Sequence, residues 1–222
     1  RQLHIDALRG VAVALMVMVH AAATWNPSSA SRLSPLAYIV SGLGGLAAPL
    51  FVTLLGWGLM KATLSFHQRW TRALFLFACQ FLVNISAPHL FEAFTPGVLS
   101  LMGVLVLSEP LWARPFRAYR NPVMPFFILS ALCCSIILLF PELQGESIWS
   151  LRVQTPNATT ALSHLLLTGT YPLFPWVLFA ALGGMLQRME QQELTHFYAA
   201  SITFGLIFSG LTLAYSISTQ QA

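Results

Sequence analysis

Asp6, Arg9 and His20 lie in one apolar run near the start of the chain. A helix advances about 100° and rises about 1.5 Å per residue, so the eleven steps from Arg9 to His20 make close to three turns, about 16 Å along the axis. Asp6 and Arg9, three apart, are neighbours on that same face. Ionisable groups inside an apolar span are costly and usually face an interior cavity. Three such groups on one stripe fit a path lined by polar side chains. A plainer reading stays open: Asp6 caps the helix start and pairs with Arg9 at a membrane border, and His20 is an interfacial histidine.

The elements that position these residues are membrane helices. Charged residues are 8% of 222, apolar residues are 56%, and the mean hydropathy is +0.70. A soluble domain carries roughly 25% charge, so an ordinary soluble enzyme, a disordered chain and a nucleic-acid binder are excluded. Crossing a bilayer takes about 20 apolar residues. Seven segments qualify: 6–25, 37–62, 70–87, 94–112, 122–140, 169–187 and 197–217, with a longer loop at about 141–168. The first run is too long, and lacks the small-residue cleavage site, for a signal peptide.

With the N-terminus inside, the cytoplasmic side receives Arg1, Arg9, Lys61, Arg69, Arg72, Arg114, Arg117, Arg120 and Arg188, and the outer side Arg32 and Arg152. That bias orients the chain N-in and C-out and accounts for the net charge of +4 without nucleic acid. The expected fold is an all-α, polytopic transmembrane helical bundle of about seven spans, one domain over 1–222, in contact with membrane lipids. A retinal protein is excluded, because the one lysine, Lys61, is not in the last span.

The same topology brings further polar groups to the outer end. Asn84 closes the third span there, either as an interhelical hydrogen bond or as a donor to a developing oxyanion. His89 and Glu92 follow in a loop, and His164 and Tyr171 flank the sixth span. Tyr171, Pro172, Pro175 and Trp176 close the mouth of a site or anchor the interface. Glu109, before Pro110, pairs with Arg114 or sits in the headgroup layer. No metal is expected: His20, His89, Glu92 and His164 lack short ligand spacing, and Cys133 and Cys134 read as small buried hydrophobes. Trp25, Trp70 and Trp112 mark span ends.

Five segments carry a family resemblance. IDALRGVAVALMVMVH (5–20) and YPLFPWVLFAALGGML (171–186) are the specific ones; APLFVTLLGWGL (48–59), FLVNI (81–85) and GVLSLMGVLVL (97–107) follow in order. Together they resemble the integral membrane acetyltransferases related to heparan-α-glucosaminide N-acetyltransferase, in a compact bacterial form. The resemblance implies acetyl-CoA as co-substrate and transfer of its acetyl group to an amine or hydroxyl, on a sugar, across a bacterial cytoplasmic membrane. It assigns His20 as base or acetyl acceptor with Asn84 as supporting donor, and Asp6, Arg9, Arg69 and Arg72 to the CoA side. His89, Tyr171 and Trp176 fall to the acceptor. In the fourth helix Ser100 and Met102 depart from the family pattern. An alternative follows from that: a non-catalytic transmembrane subunit of a larger complex on the same fold. The chain is expected in a homo-oligomer or beside other membrane subunits.

Overall fold

The computed structural model describes residues 2–24, 35–146, 148–189 and 191–219. Arg1, Trp25 and Arg32 lie outside the described residues. The secondary structure among the described residues is helical throughout. Residues 1–187 form one unit and 188–222 a second. The second unit is one helix, α11 (Gln191–Thr219), which contains the expected segment 197–217.

In the first unit α1 (Leu3–Thr24) is long and apolar enough to cross a membrane, as is the stretch Gly42–Lys61. The latter takes in the end of α2 (Pro35–Gly45) and all of α3 (Ala47–Lys61), with Leu46 between them. The two run antiparallel. Val19 packs on Gly44, and the Arg9 guanidinium lies 3.9 Å from the Cβ position of Gly58. Arg9 and Lys61 thus mark one end of the unit and His20 the other.

The remaining helices fit this two-ended frame. α4 (Phe66–Ser86) starts at a capping box, in which Ser65 and Gln68 exchange side-chain to backbone hydrogen bonds. α5 (Val98–Leu107) returns beside it, with Phe77 against Gly103 and Gln80 against Gly97. α6 (Glu109–Ala118) follows after Ser108, and α7 (Val123–Leu139) follows α6. The expected fourth span, 94–112, is therefore divided. Its ten-residue α5 covers about 15 Å, half a bilayer core. Pro110 supplies no N–H and favours a first helical turn, so a new helix begins there.

The expected loop 141–168 is also more structured than a loop. It holds α8 (Trp149–Val153), α9 (Ala158–Ser163) and a π-helical turn at His164–Thr168. Asn157 caps α9 by accepting from the Thr160 N–H. After a break at 169–172, α10 (Leu173–Arg188) continues at an angle of 49°, and the pair 158–168 and 173–188 together is long and apolar enough to cross. Among the described residues two helices, or three with this bent pair, meet the length and composition of a span by themselves. Seven is thus a larger number than helix length and hydropathy alone account for.

Apolar side chains face outward. Only 11% of the apolar window of α1 is buried, and Val11, Val13, Val17, Phe75, Leu82, Phe127 and Leu132 are exposed. The interior mixes small residues such as Ala12, Ala47, Ala73, Ala180 and Ala181 with large ones such as Leu101, Leu105, Phe116 and Met185. The apolar outer faces suit helices packed in lipid, and the small residues allow close backbone approach between them. Cys133 is buried but Cys134 is exposed, which corrects the expectation for the pair. Adjacent helical residues point about 100° apart and do not share an inward face.

The closest approach joins α3 and α10. A Cβ on Gly56 would overlap the Ala180 carbonyl, and one on Gly183 would overlap the Thr53 carbonyl. Gly184 meets Met60 and Trp112 near the Lys61 end, and Phe174 and Trp176 share a cavity with the end of α7, so the first turn of α10 lies toward the His20 end. Gly56→Ala should cost about 3 kcal/mol, the upper range for overpacking, because backbone has no rotamer to yield. Thermal unfolding in detergent tests this, and a wild-type midpoint would refute the contact.

Candidate functional site

The Arg9 end gathers Arg9, Lys61, Arg69, Arg72 and Arg117. Arg9 Nη1 donates to Asp6 Oδ1 at 2.9 Å, the one-turn pair expected from the sequence. Their side chains are 52% and 30% exposed, so the bond orients more than it stabilises. Lys61 Nζ lies 5.3 Å from the Trp57 ring centroid.

Deeper in, Glu109 is 1% exposed. Its Oε2 accepts from Arg69 Nη1 at 3.2 Å, and its Oε1 lies 2.5 Å from Arg117 Nη1, outside hydrogen-bond geometry. Arg69 also donates to the Leu64 carbonyl, and Arg117 Nη2 to the Leu59 carbonyl in the last turn of α3. A cation there satisfies an orphan carbonyl and the negative end of the helix dipole. The expected partner Arg114 is replaced by Arg117. Eight steps along α6 return to within about 80° of Glu109, whereas five leave a residue about 140° away.

Arg72, one turn beyond Arg69, lines a cavity of about 380 Å³ with Leu55, Leu59, Phe75, Leu76, Met102 and Val106. Of the expected CoA-side residues, Arg9 and Arg72 thus present guanidinium at this end. Arg69 is tied to Glu109.

His20 marks the other end. Its Nδ1 is 2.8 Å from the Met16 carbonyl. A carbonyl oxygen only accepts, so Nδ1 carries the proton and the neutral ring keeps its lone pair on Nε2. That tautomer suits a base or an acyl acceptor.

Asn84 has a structural task. Its Nδ2 donates to the Ala93 and Thr95 carbonyls at 3.0 and 2.8 Å, and its Oδ1 accepts from Gln80 Nε2 at 2.9 Å. Gln80 Oε1 in turn accepts from the Leu99 N–H. Thr95 Oγ1 donates to the Val153 carbonyl, and Glu92 accepts from the Thr155 N–H. The cluster ties the end of α4 to residues 87–97 and 153–155. Both protons of the amide are engaged, so Asn84 acts as a clamp in this structure. Asn84→Leu should leave the Ala93 and Thr95 carbonyls and Gln80 without partners, costing about 3 kcal/mol or more at 1–3 kcal/mol for each of the three groups. The unfolding midpoint reads this loss, and acetyl-CoA affinity at the far end should not change.

His89 is exposed in the turn after α4. Tyr171 and Trp176 meet edge to face at 5.0 Å between ring centroids. Trp176 lines a cavity of about 250 Å³ with Arg152, Leu167, Gly169, Thr170, Phe174 and others from the end of α7. Beside it, His164 is bound at both nitrogens, a feature missing from the sequence reading. Among the described residues no three His, Cys, Asp or Glu side chains gather to hold a metal.

Apolar helices around small-residue contacts, with cations gathered at one end, define an all-helical integral membrane protein. The chain belongs to the heparan-alpha-glucosaminide N-acetyltransferase catalytic family, whose model matches residues 1–217. No curated protein and no solved structure matches it. The family is one of transmembrane acetyltransferases, as the sequence resemblance implied.

Proposed function

We propose that the chain takes the acetyl group of acetyl-CoA at the Arg9 end and delivers it to a sugar amine or hydroxyl at the His20 end. The observation that carries this reading is α1 itself. One unbroken 22-residue helix holds the Asp6–Arg9 pair at its start and His20 three turns later. The loop arginines argue for a cytoplasmic Arg9 end, so the donor is cytosolic and the acceptor lies beyond the membrane. The setting is a bacterial cytoplasmic membrane.

The residues present fit the donor. The CoA phosphates need cations, and Arg9, Arg72 and Lys61 stand at one end, with forked donors in the two arginines. The Arg69–Glu109–Arg117 triad keeps one net positive charge behind them. The pantetheine arm is long and thin, comparable with the Arg9–His20 separation. A thioester is already activated, so the protein's work is positioning and proton handling. His20 Nε2 either removes the acceptor's proton or takes the acetyl group itself. Tyr171 and Trp176 offer an aromatic wall to a sugar face, and His89 a polar rim.

Acetyl-CoA binding and thiol release by the purified protein test the reading. Saturable binding with turnover is expected, and Arg72→Gln should raise Kd about tenfold, near 1.4 kcal/mol for one lost phosphate contact. Absence of binding at millimolar acetyl-CoA, in folded protein, overturns it.

A further inference from the structure

The cavity of about 250 Å³ at the end of α7 is lined by Arg152, Thr170 and Trp176, and by no carboxylate among the described residues. Arg152 Nε donates to the Glu146 carbonyl, which fixes the guanidinium and leaves the N–H groups of Nη1 and Nη2 for a ligand. Among the described residues Arg152 pairs with no acid. Threonines on the helices spend their hydroxyls on the carbonyl four residues back, as Thr53 does on Pro49 and Thr71 on His67. Thr170 stands in the break between two helices, and its hydroxyl has no partner among the described residues. The Trp176 indole N–H is likewise without one among them, whereas Trp112 donates to the Leu105 carbonyl. A fork of cationic donors beside two neutral ones, with no acid to compete, is a site for an anion, and the fork suits phosphate.

The size and surroundings of the cavity say what carries that phosphate. At 250 Å³ it lies below the roughly 300–1,000 Å³ of pockets that enclose a drug-sized ligand. It has room for a phosphate and a small substituent, and the rest of a larger ligand lies outside. The wall opposite the donors is apolar, with Ile136, Ile137 and Phe140 from the end of α7. Their neighbours Leu138 and Leu139 are exposed. The 17 residues of α7 span about 25 Å, leading away from α6 and the Arg9 end. The cavity therefore sits toward the opposite border of the membrane, where phosphate groups and alkyl chains meet.

We infer that this cavity binds the phosphate headgroup of an anionic membrane lipid. The phosphate oxygens accept from Arg152 and Thr170, and the alkyl chain lies along the exposed end of α7. The inference needs only the membrane setting and stands apart from the acetyl-transfer reading. It also has a structural consequence. Arg152 belongs to α8, Thr170 to the break at 169–172 and Trp176 to the first turns of α10. A headgroup held by all three, with its chain on α7, braces the bent helix pair against its neighbours. Binding to the folded protein alone raises its stability with lipid concentration.

The test titrates the full chain, in a nonionic detergent, with phosphatidylglycerol, diacylglycerol and glycerol 3-phosphate. Native mass spectrometry counts bound lipid, and the thermal midpoint reports its effect. Phosphatidylglycerol should bind saturably and raise the midpoint. The other two probes each lack half of the ligand and should bind at least about tenfold more weakly. Arg152→Gln should lose one bound lipid per chain and weaken the midpoint response about tenfold, and Thr170→Val about threefold. Arg114→Gln, an exposed arginine on α6, should leave both readouts unchanged. Diacylglycerol binding as tightly as phosphatidylglycerol overturns the phosphate. Glycerol 3-phosphate binding as tightly overturns the lipid and leaves a site for free phosphate esters. Lipid lost in Arg114→Gln but kept in Arg152→Gln places the lipid elsewhere and overturns the site. If Arg152→Gln does not fold, Thr170→Val and the three probes decide: wild-type binding by Thr170→Val overturns the inference.

Discussion

Replacing His20 by Ala is expected to slow acetyl transfer by roughly 10²–10⁴-fold, the range for loss of a positioned base, with acetyl-CoA affinity within a factor of two or so of wild type. The split follows from geometry. His20 lies about 16 Å from Arg9 along α1, too far to touch phosphates held by the arginines. Its side chain is exposed and hydrogen-bonds its own helix at Met16, so truncation opens no core cavity. A His20→Ala variant that turns over at the wild-type rate would remove this residue from the chemistry. An unchanged rate of transfer beside lost affinity would place it on the donor side instead.

The sequence made the first span legible because its information is local. Asp6, Arg9 and His20 share a face by helical spacing alone, and the short-range pair forms as expected. Charge asymmetry likewise anticipated that Arg9, Lys61, Arg69 and Arg117 would meet at one end. What stayed hidden was long-range or hinged on single breaks. The bond between Thr95 and Val153 joins residues 58 apart, and no periodicity announces it. Without it, Asn84 looks like a polar group open to a substrate rather than a clamp. Glu109 was read against its nearest basic neighbour, but burial under three helices chose Arg69 and Arg117.

Some signals were present and underread. Asn157 before an apolar stretch is a helix cap, and Pro110 after Ser108 is a helix start, yet hydropathy windows average over both. The glycines of the second and sixth expected spans pointed to close packing. Which glycine meets which carbonyl depends on the α3–α10 register, and that is a property of the assembled fold. The His164 wiring needed the π turn, which no residue pattern in 158–170 specifies.

The second large effect concerns stability at Glu109. Glu109→Ala should lower the unfolding free energy by about 3 kcal/mol, the low end for removing one partner of a buried ion pair. The low end applies because Arg69 and Arg117 are 21% and 32% exposed, and water or headgroups can partly solvate them. The carboxylate is what holds two like charges side by side. Without it their repulsion has no counterweight, and Arg117 is also the cation on the Leu59 carbonyl at the end of α3. The damage should therefore spread to the Arg9 end, weakening acetyl-CoA binding through displaced helices. Glu109→Gln separates charge from shape. It keeps the volume and an acceptor for Arg69, and should recover some of the midpoint but not all. Chemical denaturation of both variants, with acetyl-CoA binding measured in each, reads the two contributions. A Glu109→Gln midpoint equal to wild type would show that packing, not charge, makes this carboxylate matter. An Ala variant as stable as wild type would mean that the triad contributes nothing to holding the bundle.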